Sequence, residues 1–293
     1  MKLVTFGTRD NKHHIGVLKD NSSVIDIRMA SNDLGIPLSF ESIIHILEDP
    51  EGLEKVQRVI DAAGKHAGPW YRSLNDIELT APIPRPGKIL GVALNYHDFC
   101  VRGKLDTPTA LKVFMKAHST VVGPNDAVHV PLERKVTYEG ELGVVIGKTG
   151  KHVASADAWD HVAGYLIVND FTANDYIKED VQLMRGKNLD TFCPMGPFLV
   201  TKEEIADPGA LAIKTEVNGI VRQNSNTSRL IFKIPEIIEY FSSFLTLEPG
   251  DVIATGTPAG TALQFDPPAF VQPGDVVAVT VEGLGTLTNI IRS

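Results

Sequence analysis

The stretch "TYEGELGVVIG", residues 137–147, decides how the chain is read. Val144, Val145 and Ile146 form a β-branched run that reads as a buried strand. Just before it, Glu139 and Glu141 stand two residues apart, on one face of any strand they share. At about 3.3 Å rise per residue their Cα atoms lie roughly 6.6 Å apart. Two readings stay open. An edge strand with one wet face would carry both as surface glutamates. Beside a low-dielectric core they would repel, and would stay charged only around a shared cation. A hard divalent ion, Mg²⁺ or Mn²⁺, takes oxygen ligands at about 2.1 Å and suits such a pair.

The next strand bears on the choice. "GYLIVNDFTANDY" (164–176) reads as a buried strand ending in Asn169-Asp170. An acid at that end is either a turn residue or a third ligand. Three carboxylates on strands, with open positions left on the ion, fit a catalytic metal site better than a structural one.

Outward from there the chain is strand-rich. "KILGVAL", "PFLVT", "DVIATG" and "DVVAVTVEGLGTLTNII" are Val/Ile/Leu-rich segments bounded by turn residues. Asn218-Gly219, inside "LAIKTEVNGIVRQ", is a strong hairpin signal. "EPGDVIAT" (248–255) and "QPGDVVAV" (272–279) repeat one Pro-Gly turn ahead of a strand. Expected helices are "SADAWDHVAG" capped by Ser155, a Thr201/Glu204 capping box, and "PEIIEYFSSFL" with Pro235 in its first turn. "APIPRPG" (81–87) breaks all regular structure and is taken as the boundary between residues 1–81 and 82–293. Before it stand three strands, with turns at "TRDNK" and "KDNS". Two helices follow, the first capped by Ser39, the second carrying Leu53, Val56, Val59, Ile60 and Ala63 on one face. The fold class expected is α+β, mostly β: a barrel, roll or sandwich preceded by a small α/β domain.

Composition narrows the function. The net charge is −8 with no basic block, which argues against nucleic acid as a partner. No window approaches the ~18 apolar residues of a membrane span, and the N-terminus lacks a secretory pattern. The two cysteines, Cys100 and Cys193, are too few for a disulfide framework and are expected as core thiols. A cytoplasmic location is the simplest expectation.

The residues also carry a resemblance. "YEGELGVVIGKTGKHVASADAWDHVAGYLIVNDFTAND", "GKNLDTFCPMGPFLVT", "VNGIVRQ", "LEPGDVIATGTPAG" and "VQPGDVVAVTVEGLGTLTN" resemble, in order and spacing, the fumarylacetoacetate hydrolase superfamily. The resemblance runs through nearly all of 82–293. It implies a mixed β-roll and a homodimer. It also implies Mg²⁺ or Mn²⁺ on Glu139, Glu141 and Asp170, and a small anionic 2-oxo or β-diketo acid as substrate. Such members cleave acylpyruvates by C–C hydrolysis, decarboxylate 2-oxo diacids, or interconvert enol and keto forms, all through an enolate. Lys187 and Lys116 match lysines near the family's site, where either would neutralise substrate or intermediate; the alternative is a surface ammonium. Thr257, in "TGTPAG", matches a substrate-contacting loop, or is simply a Gly/Pro turn.

Two departures stand out. The family's hydrolases and decarboxylases commonly carry "NYxxHxxE", whose His and Glu handle the attacking water. This chain reads "NYHDFCVR", with Phe99 and Arg102 at those places. Tyr96 remains as an expected substrate contact. His97 is a candidate displaced acid/base, although positions 97 and 99 point about 200° apart on a helix. Arg102 is a candidate partner for a distal substrate carboxylate, or a solvent-facing lid residue. After Asp170, "TAND" puts Asn174 where relatives carry Arg and Ile177 where they carry Gln, so Asn174 is the polar side chain left to meet substrate there. The expectation is an acylpyruvate-type hydrolase. Decarboxylation or tautomerisation of a 2-oxo dicarboxylate, or ligand binding without catalysis, are the alternatives opened by the missing dyad.

Overall fold

The computed structural model describes residues 1–7 and 13–293. Strand Gly140–Ile146 sits inside a mixed sheet, pairing antiparallel with Val162–Asn169 on one side and Val252–Ala254 on the other. Both its faces are covered, which is why its apolar run is unbroken. Leu142, Val144 and Ile146 enter one core and Val145 the opposite one. The wet-edge reading of the glutamates is thereby excluded.

Among the described residues the sheet has twelve strands. From one edge the path runs Tyr71–Ser73, Ser23–Asp26, His13–Asp20, Lys2–Gly7, Cys193–Thr201, Val162–Asn169, Gly140–Ile146, Val252–Ala254, Ile89–Ala93 and Lys112–Lys116. Lys2 pairs with Val200, so the sheet passes unbroken from the N-terminal segment into the rest of the chain. A second sheet of five strands, among them the hairpins Ala212–Val217/Ile220–Asn226 and Val276–Val281/Gly285–Arg292, covers one face together with helix Ile234–Phe244. Helices of the first 63 residues cover the other. The result is a mostly β, three-layered α+β fold.

Local signals fared unevenly. At Asn218-Gly219 both residues have positive φ, 52° and 76°, as a tight hairpin turn requires. The two "PGD" echoes are one turn built twice: Glu248 N donates to Asp251 at 2.7 Å, and Gln272 N to Asp275 at 2.8 Å. Both cysteines are buried and free, as expected of core thiols.

Several caps differ from expectation. Ser42, not Ser39, caps helix Ile43–Glu48 by accepting from His45 N. A helix unforeseen in the sequence, Ile27–Leu34, follows strand Ser23–Asp26 directly, with Asp26 as both last strand residue and cap. Ser155 starts a 3₁₀ segment and caps nothing; its N–H donates to Glu239. Thr201 and Glu204 form no capping box, because both accept hydrogen bonds from the Met1 amino group. The expected turn at "TRDNK" lies outside the described residues, whereas that at "KDNS" is present.

Candidate metal centre

The register Gly140↔Asn169 brings the "EGE" and "ND" ends of two neighbouring strands side by side. Asn169 Oδ1 accepts from Glu139 N at 3.0 Å, and Asp170 N donates to Glu139 O at 2.8 Å. One carboxylate oxygen each from Glu139, Glu141 and Asp170 then lie within 4.8 Å of one another. Glu141 Oε2 accepts from Gly256 N at 2.7 Å. Gly256 has φ 109°, and a Cβ there would meet Asn95 Cβ at 2.8 Å, so only glycine brings this N–H so close.

The residue between the glutamates is gripped on both sides. Gly140 N donates to Gln223 Oε1 at 3.0 Å, and Gly140 O accepts from Thr257 Oγ1 at 3.0 Å. Gln223 Nε2 in turn donates to Thr257 Oγ1 and Pro258 O, both at 2.8 Å. The Thr257 hydroxyl is thus committed to holding the glutamate pair. Gln223 was in a quoted motif but carried no expected role. Its contacts join segments more than eighty residues apart, and only its polarity within a strand hinted at them.

Two buried ammonium groups complete the cluster. Lys116 Nζ lies 2.7 Å from Asp170 Oδ1 and also donates to the Lys187 carbonyl. Lys187 Nζ lies 2.5 Å from Asp170 Oδ2, 2.8 Å from Glu139 Oε2 and 4.7 Å from the centre of the Phe114 ring. Neither lysine is a surface ammonium.

Electrostatics follow from this count. Burial, with Asp170 and Glu139 nearby, pushes the Glu141 carboxyl well above 4.5. Burial also raises Glu139, Lys187 opposing and Asp170 adding. Burial alone would raise Asp170, yet Lys116 and Lys187 hold it below the ordinary value. For Lys187, burial works against the charge, and Asp170, Glu139 and Glu141 more than offset it. Three carboxylates with an excess of negative charge and hard oxygen donors fit a divalent cation such as Mg²⁺ or Mn²⁺.

A pH dependence follows. A carboxyl whose folded pKa is raised stabilises the fold below its unfolded value and loses that contribution as pH rises through the folded one. Asp170 acts only below its ordinary 3.8, outside this window. The metal-free protein is therefore expected to melt progressively lower as pH rises above the ordinary carboxylate range. Saturating Mn²⁺ should flatten the slope. Calorimetric melting with and without the ion checks this.

The remaining expected residues lie around helix His97–Gly103 and the following loops. Tyr96 is fully buried, and its hydroxyl has no hydrogen-bond partner among the described residues. Burial first, then the charges of Glu141 and Asp98, raise its pKa well above the usual phenol value. His97 is exposed and borders a cavity of about 530 Å³ with Arg102, Asn224 and Arg229, away from the carboxylates' contacts. Arg102 donates through Nε and Nη2 to Gln264 O at 3.3 and 3.2 Å and stacks 4.5 Å from the Phe265 ring centre. Gln264 returns a bond to Phe99 O at 3.0 Å. Arg102 thus ties the helix to the Gln264–Phe265 loop, an attachment that acts as a latch. Asn174 Nδ2 is spent on the Lys135 and Thr172 carbonyls. Asp98, unassigned in the sequence, accepts from Ser225 Oγ at 2.5 Å and Ala259 N at 3.4 Å, a second clasp.

Replacing Arg102 by alanine should free the latch. Protease cleavage within 97–110 is expected to accelerate several-fold, while global stability falls by less than about 1 kcal/mol. Timed digestion beside a thermal melt checks both.

Comparison with known proteins agrees with this geometry. The sequence profile described as "Fumarylacetoacetate (FAA) hydrolase C-terminal" matches residues 88–292. Oxaloacetate tautomerase YisK of Bacillus subtilis (strain 168) is 41% identical over 303 residues, spanning 99% of this chain and 100% of that one. A 2-hydroxyhepta-2,4-diene-1,7-dioate isomerase from Mycobacterium marinum superposes with TM-score 0.76 at 32% identity, covering 100% of this chain and 98% of that one. Maleylpyruvate hydrolase from Sphingobium sp. SYK-6, solved with manganese(II) and pyruvate, superposes with TM-score 0.79 at 29% identity, covering 100% and 99%. Among the described residues, no helix is long and apolar enough to cross a membrane. With its profile spanning most of the chain and a relative matching end to end, this protein belongs to the fumarylacetoacetate hydrolase superfamily of enzymes.

Proposed function

We propose that the protein is a divalent-metal-dependent tautomerase or isomerase of a small 2-oxo dicarboxylate such as oxaloacetate. The observation that carries this reading is the fate of Phe99 and Arg102. The places expected to hold a water-activating dyad carry an aromatic ring and a guanidinium spent on Gln264 and Phe265. Hydrolytic C–C cleavage needs a general base for water, whose loss costs roughly 10²–10⁴-fold. Moving a proton between carbon and oxygen of an enol needs no bound nucleophile. The tautomerase relative and the isomerase structure support this choice over the acylpyruvate hydrolase first expected.

Glu139, Glu141 and Asp170 would hold the ion. When bound, it supplies Lewis acidity to a chelating 2-oxo carboxylate. The chain does the rest. Lys116 and Lys187 set positive charge beside the carboxylates, where an anionic substrate needs it. Tyr96 keeps its proton on Oη and offers it as a hydrogen bond to a developing oxyanion.

The test follows the ultraviolet absorbance of enol-oxaloacetate with purified protein and Mn²⁺ or Mg²⁺, beside acylpyruvate cleavage and oxaloacetate decarboxylation. Ion-dependent acceleration of enol decay, abolished by chelator, is expected. Acylpyruvate cleavage outpacing tautomerisation would restore the hydrolase. No acceleration with any substrate would reject the enzyme assignment to this chemistry.

A further inference from the structure

Lys187 is held at two levels that differ in kind. Its backbone is pinned. Its carbonyl accepts from Lys116, its N–H donates to Leu183 O at 3.0 Å, and the next residue, Asn188, binds Met115 O, Met184 O and Ala117 N. Its side chain is held by charge-assisted hydrogen bonds to Glu139 Oε2 and Asp170 Oδ2 and by the Phe114 face, none of which involves its backbone. Two of those three partners belong to the carboxylate set that fits a divalent ion. An ammonium and a dication repel strongly at a few ångströms in a buried site. Asp170 has Lys116 on its other oxygen, whereas Glu139 has no other lysine partner among the described residues.

We propose that Lys187 is the built-in counter-cation of the metal-free site, and that a divalent ion displaces its ammonium from Glu139 by a side-chain rotation over a fixed backbone. This rests on the metal reading above. Asp170 and the Phe114 ring keep a foothold for the rotated ammonium, since aromatic faces attract cations. The charge count gives the exchange its purpose. Without the ion, two ammonium groups face three carboxyl groups, and no net positive charge is left to attract an anion. With all three carboxylates ionised around a divalent ion the count becomes one positive charge, and an N–H of Lys187 is freed to receive that anion. Loading is thereby ordered, ion before substrate, and substrate alone binds poorly.

The experiment is reductive methylation of the full chain with formaldehyde and a borane, read at Lys187 by mass spectrometry with and without Mn²⁺. Calorimetry of Mn²⁺ binding is run on the same preparation. Lys187 is expected to label severalfold faster with Mn²⁺, while the fully enclosed Lys116 stays unlabelled in both states. E139Q should label fast without any ion. Amide exchange over 184–188 should not change. K187M should bind Mn²⁺ at least about tenfold more tightly, having lost a competing charge. Equal labelling of Lys187 in both states, with Mn²⁺ bound, would overturn the exchange and leave the metal site standing. Weaker Mn²⁺ binding by K187M would also overturn it. No Mn²⁺ binding by the wild type would overturn both.

Discussion

Asp170→Asn is expected to lower stability by about 3–5 kcal/mol and to abolish turnover. Asp170 is the hub of the cluster, with one oxygen on each of two fully or nearly enclosed ammonium groups. The asparagine keeps the shape and removes the charge. Lys116 then faces only a carbonyl, and Lys187 only Glu139. A buried cation without its counter-ion is among the few single changes that cost this much. For a chain of this size the melting point should drop on the order of 10 °C. A second variant separates charge from packing. Adding Lys116→Met to Asp170→Asn removes one orphaned cation and should return a large share of the stability, with no recovery of activity. If the two changes were simply additive, the hub would not exist.

Glu141→Gln is expected to act in the opposite sense on stability. Glu141 is buried, close to two other carboxylates, and is not among the ion pairs of either lysine. Its charge is a liability until a cation arrives. Glutamine fits the same space and can still accept from Gly256 N. The metal-free variant should therefore be more stable than the wild type by roughly 1 kcal/mol. Ion affinity should collapse, and kcat/KM should fall by at least about 10³, near 4 kcal/mol of transition-state stabilisation. Melting, Mn²⁺ calorimetry and the enol assay measure the three effects. A variant less stable than wild type, yet still active, would mean that Glu141 serves the fold rather than the ion.

Much of the centre was legible because strand periodicity is local. A Glu-x-Glu pair ahead of a run buried on both faces marked the start of a strand, with Glu139 just before it and Glu141 inside it, and Asp170 followed the end of the neighbouring one. The sequence could not establish by spacing that these ends meet. That depends on the Gly140↔Asn169 register, a pairing of residues far apart along the chain. Tertiary contacts also overrode local capping signals. Thr201 and Glu204 have a capping-box spacing, but the Met1 amino group takes both oxygens. Ser39 was as good a cap as Ser42 on residue type, and the chain's path chose between them. The hardest parts to read were side chains whose partner lies far along the chain. Arg102 has the chemistry of a carboxylate binder, yet Gln264 and Phe265 claim it from more than 160 residues away.

The grip on Gly140 has a consequence for ion choice. Gln223 and Thr257 fix both polar atoms of the one residue separating the two glutamates, and Gln223 belongs to the second sheet. The backbone between the two glutamates is therefore tied to how two sheets pack, and spreading it would strain that packing. A cage that resists widening discriminates by radius. Calcium, which takes longer bonds and more ligands in yielding surroundings, should be excluded in favour of the smaller magnesium and manganese. Size selectivity of this kind is a mechanical property of the sheet packing, established before any ion reaches the carboxylates.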